Sequence, residues 1–125
     1  MDPSHTRIVL RHLSGSRATE IDVIAVGAHR ELILGRATSA AVRFDPHRDP
    51  DVGRQHARLE HGEGPREFRI ADLASRNGTW VNGARVLEPV ALHTGDVIRL
   101  GENGPELEFL IELEPALATR PDADG

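Results

Sequence analysis

The sequence predicts an all-β fold, a two-sheet β-sandwich of ten or eleven strands, and three observations predict it. Apolar residues come in short bursts separated by glycine, proline and aspartate. Few stretches keep a helical spacing for ten residues, so period two dominates over period 3.6. Asn82-Gly83 stands between two short strand-like segments, and this pair tolerates the positive φ that a type I′ hairpin turn needs at both central residues. Many short strands with frequent turns bury an apolar face by packing one sheet on another, and such a sandwich presents its loops at its ends, where binding residues gather.

In chain order, the first strands are expected at residues 7–13 and 20–26, joined by the turn Ser14-Gly15-Ser16. In the second, Ile21, Val23 and Ala25 face one way and Asp22, Ile24 and Val26 the other; apolar residues on both faces predict a strand covered on both sides. Further strands are expected at 31–35, 42–44, 56–60 and 67–71, with a polar, proline-broken loop at 45–51. Residues 79–81 and 84–86 flank the Asn82-Gly83 turn, and 97–100 and 107–113 close the series. The folded domain is expected over residues 7–114. Residues 1–6 carry no pattern and read as a flexible start. Residues 115–125, built of alanine, proline, aspartate and glycine, bury too little to offset ordering and read as a disordered tail or linker stub of a longer protein.

Composition excludes several chemistries. All 15 basic side chains are arginine, which removes Schiff-base lysines and the phosphate-binding lysine of a Walker loop, and fits a GC-rich, bacterial-type genome. With no cysteine there is no disulfide, thiol nucleophile or thiolate metal site. A net charge of −5 argues against general nucleic-acid affinity. No apolar run reaches the roughly 18 residues of a membrane span, and the start lacks the pattern of a signal peptide. A soluble cytoplasmic protein is expected, monomeric because no strand shows an exposed apolar run. His47, His56 and His61 fit no metal-ligand spacing, so neither metal nor cofactor is expected.

Four clusters stand in order in the middle of the chain: Leu34-Gly35-Arg36, Gly53-Arg54-Gln55-His56-Ala57, Ser75-Arg76-Asn77-Gly78-Thr79 and Val81-Asn82-Gly83. Each has an ordinary reading alone: Arg36 as a solvated strand exit, His56 as scaffold, Asn77 as a turn residue before glycine, Trp80 as a half-buried sandwich residue. Gly95-Asp96-Val97-Ile98-Arg99-Leu100-Gly101 follows. Together these segments resemble the forkhead-associated (FHA) domain, whose β-sandwich holds a phosphothreonine of a partner between its loops. The resemblance covers residues 7–113.

The resemblance implies a role for each cluster. Arg36 makes the main charged contact to phosphate, fittingly, since a guanidinium offers fork geometry and charge-assisted bonds are about twice as strong as neutral ones. Asn77 holds the peptide backbone with an amide that both donates and accepts. Arg76 lies next to the phosphate loop, and His56 braces it with Gly35, Gly78, Thr79 and Asn82. Gly53 is a departure, because the family carries a serine whose hydroxyl donates to phosphate. Losing one bond to a charged group costs about 1.5 to 3 kcal/mol, or roughly 10- to 150-fold in affinity. Two compensations are expected: the Gly53 amide approaching the phosphate, and a second charge from Arg54 or Arg48.

The function implied is a non-catalytic module binding a threonine-phosphorylated protein written by a serine/threonine kinase. The alternative is a phospho-independent interaction domain with a degenerate phosphate site, and Gly53 is its supporting feature. No nucleophile motif supports an enzyme; Ser14-Gly15-Ser16 reads as a turn.

Overall fold

The computed structural model describes residues 6–27 and 30–113. Eleven strands form and, among the described residues, no helix: β1 (Thr6–His12), β2 (Ile21–Ala25), β3 (Glu31–Gly35), β4 (Val42–Arg43), β5 (Ala57–His61), β6 (Phe68–Asp72), β7 (Thr79–Val81), β8 (Ala84–Arg85), β9 (Val90–Leu92), β10 (Asp96–Leu100) and β11 (Glu106–Leu113). They make a six-stranded sheet, β2-β1-β11-β10-β7-β8, and a five-stranded sheet, β4-β3-β5-β6-β9. The expected loose ends lie outside the described residues, except that Thr6 belongs to β1.

Period-two patterning sends one row of side chains from each sheet inward. Ile8 and Leu10 of β1, Ile98 and Leu100 of β10, and Leu107 and Phe109 of β11 meet Leu32, Leu34, Leu59 and Ile70 of the facing sheet, all buried. Phe68 and Phe109 join the layers edge to face at 5.4 Å. At roughly 1.5 to 3 kcal/mol per buried large apolar side chain, this interface supplies most of the fold's driving force.

The hairpin forms as expected. Asn82 and Gly83 have φ of 51° and 83°, and Trp80 pairs with Arg85 and Val81 with Ala84 on either side. Strand β9 has no counterpart among the strands the sequence predicts. It is three residues long, too short to show a period, and exists because Leu92 packs opposite Phe68 as β9 pairs with β6.

Strand β2 departs from expectation. It is an edge strand paired only with β1, and Ile21 and Val23 are 56% and 58% exposed. Only the Asp22 and Ile24 face turns inward, so the strand is covered on one side, and an exposed apolar run does exist.

Five connections gather at one end of the sandwich. Arg36 N–H donates to Gly53 O (2.9 Å), joining β3–β4 to β4–β5, and Gly101 N–H donates to Gly78 O (2.8 Å), joining β10–β11 to β6–β7. The β1–β2 connection reaches across through Ser16 N–H to Asp49 Oδ1 (3.0 Å).

Candidate functional site

Gly35 ends β3 against the chain at 53–54. A Cβ there would sit 2.1 Å from the Arg54 carbonyl oxygen, so only glycine permits the approach. The next two residues then clamp that segment through Arg36 N–H to Gly53 O (2.9 Å) and Ala37 N–H to Arg54 O (3.0 Å).

The decisive geometry lies one residue further back. The Arg36 guanidinium donates through Nε to the Val52 carbonyl, and through Nη1 to Pro46 O at 3.4 Å. Asn77 Nδ2 donates to Asp51 O at 2.9 Å. Arg36 and Asn77, distant in the chain, thus grip the carbonyls of adjacent residues at one rim of the sandwich. Asn77 Oδ1 takes no hydrogen bond among the described residues and keeps its acceptor capacity.

His56 is fully buried and bridges two loops. Its Nδ1 accepts from the Gly53 N–H at 2.9 Å, and its Nε2 donates to Gly78 O at 2.7 Å. This pattern assigns the neutral tautomer with the proton on Nε2. Burial pushes its pKa below 6.5, outweighing the Gly78 carbonyl and the Asp72 charge, which act in the other direction.

That bridge corrects one expectation. The Gly53 amide donates to His56, so it does not point at a ligand as the expected compensation requires. A Cβ on Gly53 would meet nothing nearer than His56 Nδ1 at 3.7 Å, and its φ is not positive; a serine fits there.

Asp72, not among the residues the sequence singles out, organises the β6–β7 loop. Its carboxylate accepts from Ser75 N–H (3.0 Å), from Ser75 Oγ and from Thr79 Oγ1 (2.6 Å), while Ser75 Oγ in turn accepts from Gly78 N–H (2.9 Å). Burial alone would raise the Asp72 pKa, but these hydrogen bonds and His56 hold it below 3.8. The signal for it is Asp72-x-x-Ser75 before Asn-Gly, a side chain positioned to tie down its own loop. Thr79, Gly78 and His56 all make hydrogen bonds that hold this loop.

Asn82 does not. Its Oδ1 accepts from Val97 N–H (2.9 Å) and its Nδ2 donates to Asp96 Oδ1 (3.0 Å). It therefore steadies the start of β10, beyond the far end of β7, and not the loop carrying Asn77. The short β7 separates the two Asn-Gly pairs by one strand length.

Arg54 and Arg76 are exposed at the same end, and Arg48 with them. Among the described residues the arginines paired with carboxylates are Arg7, Arg11, Arg17, Arg58 and Arg99. Arg36, Arg48, Arg54 and Arg76 have no such partner, as is also true of Arg30, Arg43, Arg66, Arg69 and Arg85, so this rim presents four guanidiniums free of ion pairs although Asp51 and Glu102 line the recess beside Arg76. Trp80 is half-buried, with the Arg85 and Arg99 guanidiniums 5.3 and 4.9 Å from its ring. His47, His56 and His61 do not converge; His61 stacks on Phe68 at 4.4 Å. Among the described residues no three histidine or carboxylate side chains could share a metal ion.

Comparison with known proteins decides the family. The FHA domain family model matches residues 32–101. The chain belongs to the FHA domain family. An alignment 100 residues long is 38% identical to the ABC transporter ATP-binding/permease protein Rv1747 of Mycobacterium tuberculosis; it covers 70% of this chain and only 11% of that protein. Among solved structures, a domain from a study of phosphothreonine-dependent FHA domain interactions superimposes with a TM-score of 0.66 at 32% identity, over 83% of this chain and 95% of the other. The FhaA FHA domain complexed with the intracellular domain of Rv3910 gives 0.65 at 29% identity, over 82% and 98%.

Proposed function

We propose that this FHA domain is a non-catalytic reader of phosphothreonine in a partner protein, with Arg36 taking the phosphate and Asn77 the adjoining peptide backbone. The observation that carries the reading is the grip of these two side chains on the adjacent carbonyls of Asp51 and Val52, which brings a cationic fork and an amide to one rim. The charges of Arg54 and Arg76, free of ion pairs, support an anionic ligand there. The phosphothreonine-dependent interactions studied for a 32% identical relative support the same class of ligand. A serine/threonine kinase would write the mark.

With no hydroxyl at Gly53 and its amide committed to His56, the phosphate relies on side-chain donors. If a complete site binds at about 1 μM, loss of one charge-assisted bond leaves tens of micromolar. The same feature favours a second reading, an interaction domain indifferent to phosphorylation.

The test starts from an oriented phosphothreonine peptide library, followed by calorimetry with matched phosphothreonine, phosphoserine and plain threonine versions of the selected peptide. Binding confined to the phosphorylated forms, and lost in Arg36→Ala, is the expected result. Equal affinity for the plain peptide, unchanged in Arg36→Ala, would replace the first reading by the second.

A further inference from the structure

Beside Arg36 lies a recess of about 320 Å³ whose walls include Ser16, Arg17, Arg43, Asp45, Pro46 and Arg48. We propose that it is a second anion subsite, in which Arg43 and Arg48 take a phosphate or carboxylate carried by the same peptide whose phosphothreonine sits at Arg36. The inference rests on the phosphothreonine reading and extends it to the class of peptide preferred.

The recess adjoins the first site through two contacts with Arg36. Pro46, on its wall, offers its carbonyl to Arg36 Nη1 (3.4 Å), and Arg43 Nε donates to the Arg36 carbonyl (3.4 Å). A peptide advances at most about 3.3 to 3.6 Å per residue, so a neighbouring side chain of the bound segment reaches it.

Its frame is held by interactions that spend other groups and spare these two arginines. Arg17 pairs with Glu20 and Asp22, each at 2.7 Å, and its Nη1 donates to the Arg43 carbonyl at 3.2 Å. Asp45 Oδ1 accepts from the backbone N–H groups of His47 (2.7 Å) and Arg48 (2.8 Å), which fixes where Arg48 leaves the chain. Asp49, only 3% exposed, accepts from Ser16 N–H, Ser16 Oγ and Asp45 N–H, stapling the β1–β2 connection to the β4–β5 loop.

The charge balance decides the ligand class. Two carboxylates, Glu20 and Asp45, face three guanidiniums. Glu20 is satisfied by Arg17 and Asp45 by backbone amides, whereas Arg43 and Arg48 have no carboxylate partner among the described residues. Guanidiniums that are not paired with carboxylates suit phosphate first and carboxylate second.

The experiment walks a second phosphothreonine, or a glutamate, through the four positions on each side of the first in the selected peptide, measuring affinity by calorimetry. The expected result is a gain of about 10-fold or more at one position for phosphothreonine, smaller for glutamate, with the ratio of doubly to singly phosphorylated affinity falling to about one in Arg43→Ala/Arg48→Ala. Arg48→Glu, a change on an exposed side chain, should push that ratio below one without risk to folding. A gain at no position, or a gain that persists in both variants, overturns the subsite while singly phosphorylated peptides still bind. Failure of every phosphorylated peptide to bind would remove the subsite and the reading beneath it together.

Discussion

The outer face of the six-stranded sheet and the loop end of the sandwich use the same residue, arginine, in opposite ways. On the sheet face Arg7 lies across from Glu112 and Arg11 across from Glu108, and the ion pairs close at 2.9 and 3.0 Å. Arg99, opposite Glu106, pairs at 3.7 Å. Strand register delivers a carboxylate to each of these three cations. At the loop end there is no register, and Arg36 and Asn77 hold backbone carbonyls instead. A carbonyl orients a guanidinium without neutralising it, so the charge remains for a ligand. The count of arginines therefore says little, and neither does the lack of a carboxylate by itself, since Arg30 also rests on backbone carbonyls, those of His61 and Gly62; what sets the loop end apart is that Arg36 shares it with Asn77 on adjacent carbonyls.

The comparison can be broken most directly by removing one arginine from each region. Arg36→Ala should weaken a phosphothreonine peptide by about 100-fold, since a fork of charge-assisted bonds is lost. Arg11→Ala should leave that affinity within error and change stability by no more than about 1 kcal/mol, as for other exposed ion pairs. Calorimetry and urea titration of both variants check the contrast; equal effects on binding would erase it.

Gly53→Ser sharpens it from the other side. The site accommodates a Cβ, and a hydroxyl there adds one donor to the charged ligand. An affinity gain of roughly 10-fold is expected, at the lower end for such a bond because the introduced hydroxyl must settle into one rotamer. No gain in calorimetry would mean the ligand does not approach residue 53.

A smaller effect comes from pH. His56 accepts a hydrogen bond from Gly53 only when neutral, and its folded pKa lies below 6.5. The unfolded chain therefore takes up the proton first on acidification, so stability is full above about pH 6.5 and declines as pH falls below it. Asp72, with a depressed pKa, adds its loss only below about 3.8. Thermal unfolding midpoints between pH 7.5 and 5.5 should fall in the wild type and stay flatter in His56→Gln. Stability is the proper readout, because the phosphate itself titrates near pH 6.

Much of this is legible in the chain. Strands β3 and β7 begin and end where the sequence puts them, because the apolar run Leu32-Ile33-Leu34 stops at Gly35 and β7 lies between Gly78 and the Asn82-Gly83 turn. The Asn82-Gly83 turn is legible for a local reason, its tolerance of positive φ. Strand β9 is not, since three residues carry no period. The exposed face of β2 is hidden from a sequence reading because apolar side chains on an edge strand look the same there as buried ones. Asn82 braces a different loop from the one expected because adjacency along β7 says nothing about which strand lies alongside; β10 does.

By itself the sequence determined the sandwich and the hairpin, because propensity, periodicity and turn chemistry are local properties that read out over a few residues, while the candidate site residues came from the resemblance of its four clusters to the FHA family. Only the tertiary structure decided that Arg36 and Asn77 meet on adjacent carbonyls, that the Gly53 amide is spent on His56, and that some arginines are left without carboxylates. Those outcomes depend on which partner lies within about 3 Å, and a hydrogen-bond donor is committed or free only once distant segments have been packed together.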